Sequence, residues 1–199
     1  MVKRIFAMVL ALTLLAAMSV FAQDVAPAPQ EPEEVTARKS DVIFLQIGNY
    51  ATVSNGTLKW VDAENRNVLP YIKDGRTMVP LRFLAEEMGA TVGYDESTRS
   101  ITVSLDNTVL QLQVGQAEYS VNGEAFLMDC AAEISEDRTF VPVRFVSEAL
   151  GKSVEWLNDE RIVVVTPQDA PWDMESDLEK AVLAEVRLNL SPLGRNNVE

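Results

Sequence analysis

The chain contains no histidine and a single cysteine, Cys130, among its 199 residues. Without imidazole there is no histidine general base, no histidine-assisted nucleophile and no histidine-ligated metal. One thiol cannot form an intrachain disulfide, so the fold must stand on its hydrophobic core. Cys130 lies among Met128, Ala131 and Ala132, a setting that reads as a small buried thiol rather than a nucleophile. Basic residues are scarce as well: 17 Lys and Arg face 30 Asp and Glu, a formal net charge of −13. That balance argues against nucleic acid and anionic lipid, whose attraction depends on clustered Lys and Arg. Cationic partners, loosely held divalent metals or plain solubility remain open. No Gly-rich phosphate loop and no Gly-x-Ser-x-Gly elbow is present.

What the chain does have begins with an export signal. Lys3 and Arg4 precede an uncharged apolar run over residues 5–21, and Val20 and Ala22 suit the positions before a cut at Ala22-Gln23. The run is short for a spanning helix, so a cleaved signal peptide over 1–22 is preferred to a retained anchor. No cysteine follows it, which argues against a lipoprotein. Cleavage leaves 15 basic against 30 acidic residues, a net charge of −15. Residues 23–40 carry three prolines, several acids and almost no large apolar side chain, and read as a disordered, solvated linker.

The folded part is organised around a segment that occurs twice. Laying Arg76 to Val92 over Arg138 to Val154 without a gap gives identity at nine of seventeen positions. Each copy opens with an extended Arg-Thr-x-Val-Pro, held out of the helical region by its proline. Pro80 and Pro142 then suit the first position of a helix. Leu81, Leu84, Ala85 and Met88 form one apolar face, as do Val143, Val146, Ser147 and Leu150, and Gly89 and Gly151 supply left-handed stops. Helices this short need packing on strands to persist.

The repeat extends in both directions. Leu45-Gln46-Ile47-Gly48 stands eight residues before Gly56 of an Asn-Gly pair, as Leu112-Gln113-Val114-Gly115 stands before Gly123. Asn-Gly predicts a tight type I′ hairpin. After each helix comes an alternating strand pair, Thr91-Val92-Gly93-Tyr94 with residues 100–105, and Ser153-Val154-Glu155-Trp156 with residues 161–166. Tyr94 and Trp156 share one place in the pattern and read as core or hairpin plugs. From Gly56 to Arg76 is 20 residues and from Gly123 to Arg138 is 15, so the first copy holds about five extra residues, placed within 62–69. Beyond the repeat, Gln168 to Trp172 is a linker and residues 173–190 read as an amphipathic helix with a Leu178, Ala181, Val182 and Val186 stripe. Docking back on the domain, with Trp172 as anchor, is preferred to a contact with another chain.

The paired pattern of Asn-Gly, Asp-Gly-Arg-Thr-x-Val-Pro-Leu-Arg-Phe, Glu-x-x-Gly, Val-x-(Tyr/Trp) and a closing strand resembles the copper amine oxidase N-terminal domain, also called the stalk domain, over residues 41–167. The resemblance implies a small antiparallel sheet wrapped around helix, exported by bacteria and often joined to cell-wall or enzymatic modules. Amine oxidase chemistry belongs to a separate catalytic domain with histidine ligands to copper and a tyrosine-derived cofactor; this chain has no histidine and no room for that domain. Copper is usually held by imidazole or soft sulfur clusters, so the resemblance implies an accessory role rather than oxidation.

The fold class expected is α+β: two repeats, about 41–106 and 108–167, each of antiparallel strands on one short helix, followed by the 168–199 linker and helix. The repeated Arg76, Thr77, Pro80, Arg82, Glu86, Gly89, Arg138, Thr139, Pro142, Arg144, Glu148 and Gly151 are read as structural. Arg82 with Glu86 and Arg144 with Glu148 are i,i+4 ion pairs worth only ~0.3–0.5 kcal/mol each when exposed. Arg76, Thr77, Arg138 and Thr139 are expected to bond backbone carbonyls in their turns. Oxygen donors crowd residues 62–67, but the glycine and closing glutamate of an EF-hand loop are missing and Lys73 stands at the twelfth position. No catalytic, cofactor-binding or metal-binding residues are assigned and no cofactor is expected. The functional expectation is an exported, envelope-associated, non-catalytic binding or scaffolding module that meets a cell-wall polymer or another envelope protein, and neither nucleic acid nor, after signal cleavage, membrane. A wall-polymer hydrolase using carboxylates, or an assembly subunit acting through the C-terminal helix, are the alternatives.

Overall fold

The computed structural model describes residues 33–191. The expected signal peptide and residues 23–32 of the expected linker lie outside the described residues. The chain runs α1 (Glu33–Lys39), β1 (Ile43–Gln46), β2 (Ala51–Ser54), β3 (Thr57–Trp60), β4 (Tyr71–Lys73), β5 (Arg76–Pro80), α2 (Leu81–Glu87), β6 (Thr91–Asp95) and β7 (Ser100–Leu105). It continues through β8 (Thr108–Gln113), β9 (Glu118–Val121), β10 (Glu124–Leu127), β11 (Glu133–Ser135), β12 (Arg138–Pro142), α3 (Val143–Ala149), β13 (Lys152–Leu157), β14 (Ile162–Pro167) and α4 (Asp177–Leu190). The fold is α+β, with antiparallel sheets and four helices among the described residues, one of them C-terminal.

Turn chemistry forms the hairpins. Asn55 and Gly56 have φ of 50° and 72°, and Asn122 and Gly123 have 52° and 86°, both type I′ pairs joining four-residue strands. Gly89 ends α2 with φ 85°. There its N–H bonds the Glu86 carbonyl at 2.9 Å while the Ala90 N–H reaches back to Ala85 at 2.9 Å, a Schellman closure. Pro80 and Pro142 sit one residue earlier than expected. Each is the last residue of its strand and the N-cap of the helix, with ψ of 118° and 122°. Proline fixes only φ, and that value serves an extended backbone as well as a helix.

Strands that are consecutive in sequence are divided between sheets. The first sheet has the order β13-β14-β1-β2-β3, the second β10-β9-β8-β7-β6, and the third β11-β12-β5-β4. Each five-stranded sheet therefore combines three strands from one half of the domain with two from the other, so the halves 41–106 and 108–167 do not pack as separate units. The third sheet joins them where β5 meets β12, with Met78 opposite Pro142, Val79 opposite Val141 and Pro80 opposite Phe140. One core fills the space between, built from Leu45, Met78, Leu84, Ile101, Phe140 and their neighbours. Ser147 takes the place on α3 that Ala85 has on α2, and its buried hydroxyl has no hydrogen-bond partner among the described residues.

The outer faces of the two large sheets differ, and the sequence says why. Phe44, Val53, Ile162 and Val164 turn a second apolar face outward from the first sheet, where it is covered by Val35 of α1, Val182, Leu183, Val186 and Leu190 of α4, and Trp172. On the second sheet Gln111 and Gln113 are exposed and Thr102 and Ser104 half-buried, so no helix is called for.

Two expectations are corrected here. Residues 33–39 are not linker but α1, with Glu33 and Glu34 in its first turn, Arg38 and Lys39 in its last, and Val35 buried. A helix of seven residues is unstable alone; α4 holds it. Arg38 bonds Glu179 through Nε at 2.7 Å and lies over the Trp172 ring at 5.5 Å, and Lys39 bonds Glu185 at 2.7 Å. The C-terminal helix also begins later than residue 173. Ser176 caps it by accepting from the Glu179 N–H at 3.5 Å, and the buried stripe includes Leu183 and Leu190 while Ala181 faces solvent. The helix docks in cis.

Candidate functional site

The arginines that open the repeated segment cross from one half of the domain to the other. Arg138 Nε donates to Asp62 Oδ2 at 2.6 Å and its Nη2 to Glu64 at 3.2 Å. Arg76 Nε donates to Asp129 Oδ2 at 2.7 Å. Contacts to the carbonyls of Gly75 and Asp137 also occur, at 3.4 and 3.3 Å, but they are secondary to the carboxylates. Asp62 is locked further, its Oδ1 accepting the N–H groups of Glu64 and Asn65, both at 2.9 Å. Partial burial alone would raise its pKa; Arg138 and the two N–H groups outweigh that and hold it below the ordinary value. Asp129 is lowered chiefly by the Arg76 hydrogen bond. Sequence reasoning weighed Asp62 only among the calcium-type oxygen donors of residues 62–67 and passed over Asp129, although the signal was there: each stands six residues beyond the glycine of its Asn-Gly pair.

Beside each ion pair lies a groove. The first, about 620 Å³, is walled by Pro80, Leu81, Arg82 and Phe83 at the start of α2, by Val92 and Tyr94 of β6, and by Ile134 and Arg138 from the other half. The second, about 610 Å³, has Pro142, Val143, Arg144 and Phe145 of α3, Val154 and Trp156 of β13, and Ile72 and Arg76 across from them. Position for position, the two walls carry the corresponding residues of the repeated segment. Nine of the twelve repeat-motif residues line a groove, five in the first (Pro80, Arg82, Glu86, Arg138, Thr139) and four in the second (Arg76, Thr77, Pro142, Arg144); Gly89, Glu148 and Gly151 do not.

Tyr94 corrects its expected role as a plug. It is 41% exposed and forms groove wall, because β6 is the edge of its sheet and no further strand among the described residues covers the ring. Trp156 is half-buried against the core and lines the second groove.

The grooves differ in charge. Asp62, Glu64, Glu86, Glu87 and Asp137 line the first against Arg82 and Arg138, whereas Arg76 and Arg144 line the second against Asp129 alone. Part of the difference is Glu64, in the polar stretch that follows Asp62, which also lines the first groove. The helix pairs are loose: Arg82 meets Glu86 at 3.4 Å and Arg144 meets Glu148 at 3.9 Å, all four more than half exposed. Arg82 also donates to the Val92 carbonyl at 3.3 Å; Arg144 makes no such bond.

A comparison with known families matches residues 60–165 to the copper amine oxidase N-terminal domain. The chain belongs to that family. The match spans more than half of the chain and covers both grooves, and it is to the N-terminal domain and not to the catalytic domain. Comparison with curated proteins finds no match. The copper in the family's name finds no fit in this stalk domain. Histidine is absent, Cys130 is buried with its pKa raised by desolvation, and among the described residues no three Cys, Asp or Glu side chains are grouped to hold a metal ion. Soft or imidazole ligands are what copper selects.

Proposed function

We propose that this stalk domain is an exported, envelope-associated binding module without catalytic activity, built from two copies of one unit, and that its ligands seat in the paired grooves. The observation that carries the reading is the correspondence of the two groove walls, each pairing an exposed or half-exposed aromatic with an arginine at a helix start. Duplicated concave sites with a few placed polar groups suit repeated recognition of one extended partner. Two carboxylates of the first groove are committed: Asp62 to Arg138 at 2.6 Å and Glu87 to Lys59 at 2.8 Å. Acids neutralised in this way are poorly suited to paired acid–base hydrolysis.

The test is retention of the chain from Gln23 by isolated cell envelope and by purified wall polymer. Retention that falls in Tyr94→Ala and Trp156→Ala, and not in a change at exposed Leu188, is the expected result. Release of soluble polymer fragments would replace the binding reading with the hydrolase one, and failure of every envelope fraction to retain the chain would end it.

A further inference from the structure

The second groove is bordered by two sheet edges, β4 of the third sheet and β13 of the first. The register settles which backbone groups β13 leaves unpaired. The Ile47 N–H bonds the Arg161 carbonyl, and β1 pairs Leu45 with Val163 and Ile43 with Val165, so Val163 and Val165 spend their bonds on β1. Ile162, Val164 and Thr166 therefore bond Leu157, Glu155 and Ser153 of β13. Pro167 opposite Lys152 agrees, since proline has no N–H to give. Lys152, Val154 and Trp156 then direct N–H and C=O away from the sheet, and no partner among the described residues meets those of Val154 and Trp156.

The first groove does not offer this. There the corresponding Val92 carbonyl is capped by Arg82. In the second groove the equivalent carbonyl is open and the equivalent arginine, Arg144, is 61% exposed with only a 3.9 Å approach to Glu148.

We infer that the groove between β4 and β13 takes an extended acidic peptide, which adds as a strand to the β13 edge through the backbone of Val154 and Trp156 and places a carboxylate on Arg144. An edge of alternating donors and acceptors is matched by another backbone. Trp156, Phe145 and exposed Ile72 supply apolar contact for the alternate side chains. The excess of Arg76 and Arg144 over Asp129, in a chain of net charge −13, selects an anion within the groove rather than at long range. This inference rests on the binding-module reading and names the partner class for one of its two grooves.

The experiment is a titration of the ¹⁵N-labelled protein, expressed with its own N-terminal segment, with a blocked hexapeptide alternating Glu and Val and with its Lys counterpart. The acidic peptide should shift the amides of Val154 and Trp156 and the Trp156 indole N–H, leave the Trp60 indole of the first groove unmoved, and bind about tenfold more tightly than the Lys peptide. Arg144→Gln should weaken it by a similar factor. Val154→Pro removes an outward N–H without taking a bond from β14, and should abolish the shifts; if that variant does not fold, Arg144→Gln decides alone. Equal response to both peptides, shifts centred on Tyr94 and Trp60, or no response at millimolar peptide would overturn the inference. Should envelope retention persist while the peptide does nothing, the peptide partner falls and the module reading stands; the reverse pattern removes the envelope and keeps the peptide site.

Discussion

Val79 of β5 and Val141 of β12 stand directly opposite one another at the centre of the fold, both fully buried, and they hold the same place in the two copies of the repeated segment. The pairing around them reads alike from either strand. Val79→Ala and Val141→Ala should each cost about 2 kcal/mol, and because the two side chains share one contact the double variant should differ from their sum by more than about 0.5 kcal/mol. Urea unfolding of the four proteins measures this, and strict additivity would show that the central pair does not couple the halves.

The exchange of strands between sheets sets a second expectation. Residues 41–106 alone, or 108–167 alone, should show no cooperative melting, because each five-stranded sheet lacks two or three of its strands without the other half. Co-expression of the two pieces should restore a folded complex. Circular dichroism melts would decide it, and a half that melts cooperatively by itself contradicts the exchange.

Acid should weaken the protein through the carboxylates that bridge its halves. Asp129 and Glu133 are held below their ordinary values by Arg76, and by Lys73 with Tyr71, and Asp62 stays low despite its burial. A carboxylate lowered in the folded state contributes its stability in full above its unfolded pKa, and loses it as pH falls through the lower folded value. The melting temperature should therefore be level from pH 7 to about 5 and drop below about pH 4, with a shallower acid limb in Asp62→Asn. At neutral pH Arg138→Ala should cost about 1 kcal/mol, the upper end for a partly exposed pair.

Ser147 offers a gain rather than a loss. Its buried hydroxyl lacks a partner among the described residues where the other helix has Ala85, so Ser147→Ala should stabilise the protein by about 1 kcal/mol by removing an unmet desolvation cost. A lower urea midpoint for this variant would point to a bond that the hydroxyl makes.

Removing residues 168–199 should strip the cover from Phe44, Val53, Ile162 and Val164 and leave α1 without support. Loss of four buried aliphatic side chains from that layer amounts to roughly 6–12 kcal/mol at about 1.5–3 each, with Trp172 in addition, so the truncated chain should melt far lower and bind a hydrophobic dye. A soluble truncation with an unchanged melt would show that the layer is dispensable.

Local chemistry was legible in the sequence and long-range pairing was not. The Asn-Gly hairpins, the apolar faces of α2 and α3 and the glycine stops follow from turn geometry and a helical period, which a short window contains. No window contains the fact that β1 pairs with β14, or that Arg76 reaches Asp129 across more than fifty residues. Helix α1 was hidden for a related reason, since its seven residues carry one large apolar side chain and their partners sit at the far end of the chain. Tyr94 misled because aromatic residues on strands are usually covered, and only the sheet order reveals that β6 is an edge. The candidate site follows the same division: most of its residues were named as a motif, and their gathering into two grooves, one acidic and one open at a sheet edge, belongs to the tertiary fold.

The pairing of Ile43 with Val165 places the start of β1 beside the end of β14, so the polypeptide enters and leaves the sheets at one point. A pull applied between those two strands would load their backbone bonds one after another, as a zipper, instead of all together in shear. The ion pairs of Arg38 and Lys39 with α4 lie ahead of that first bond. A pull that enters through α1 and α4 would therefore have to part those two helices before it loaded that first bond.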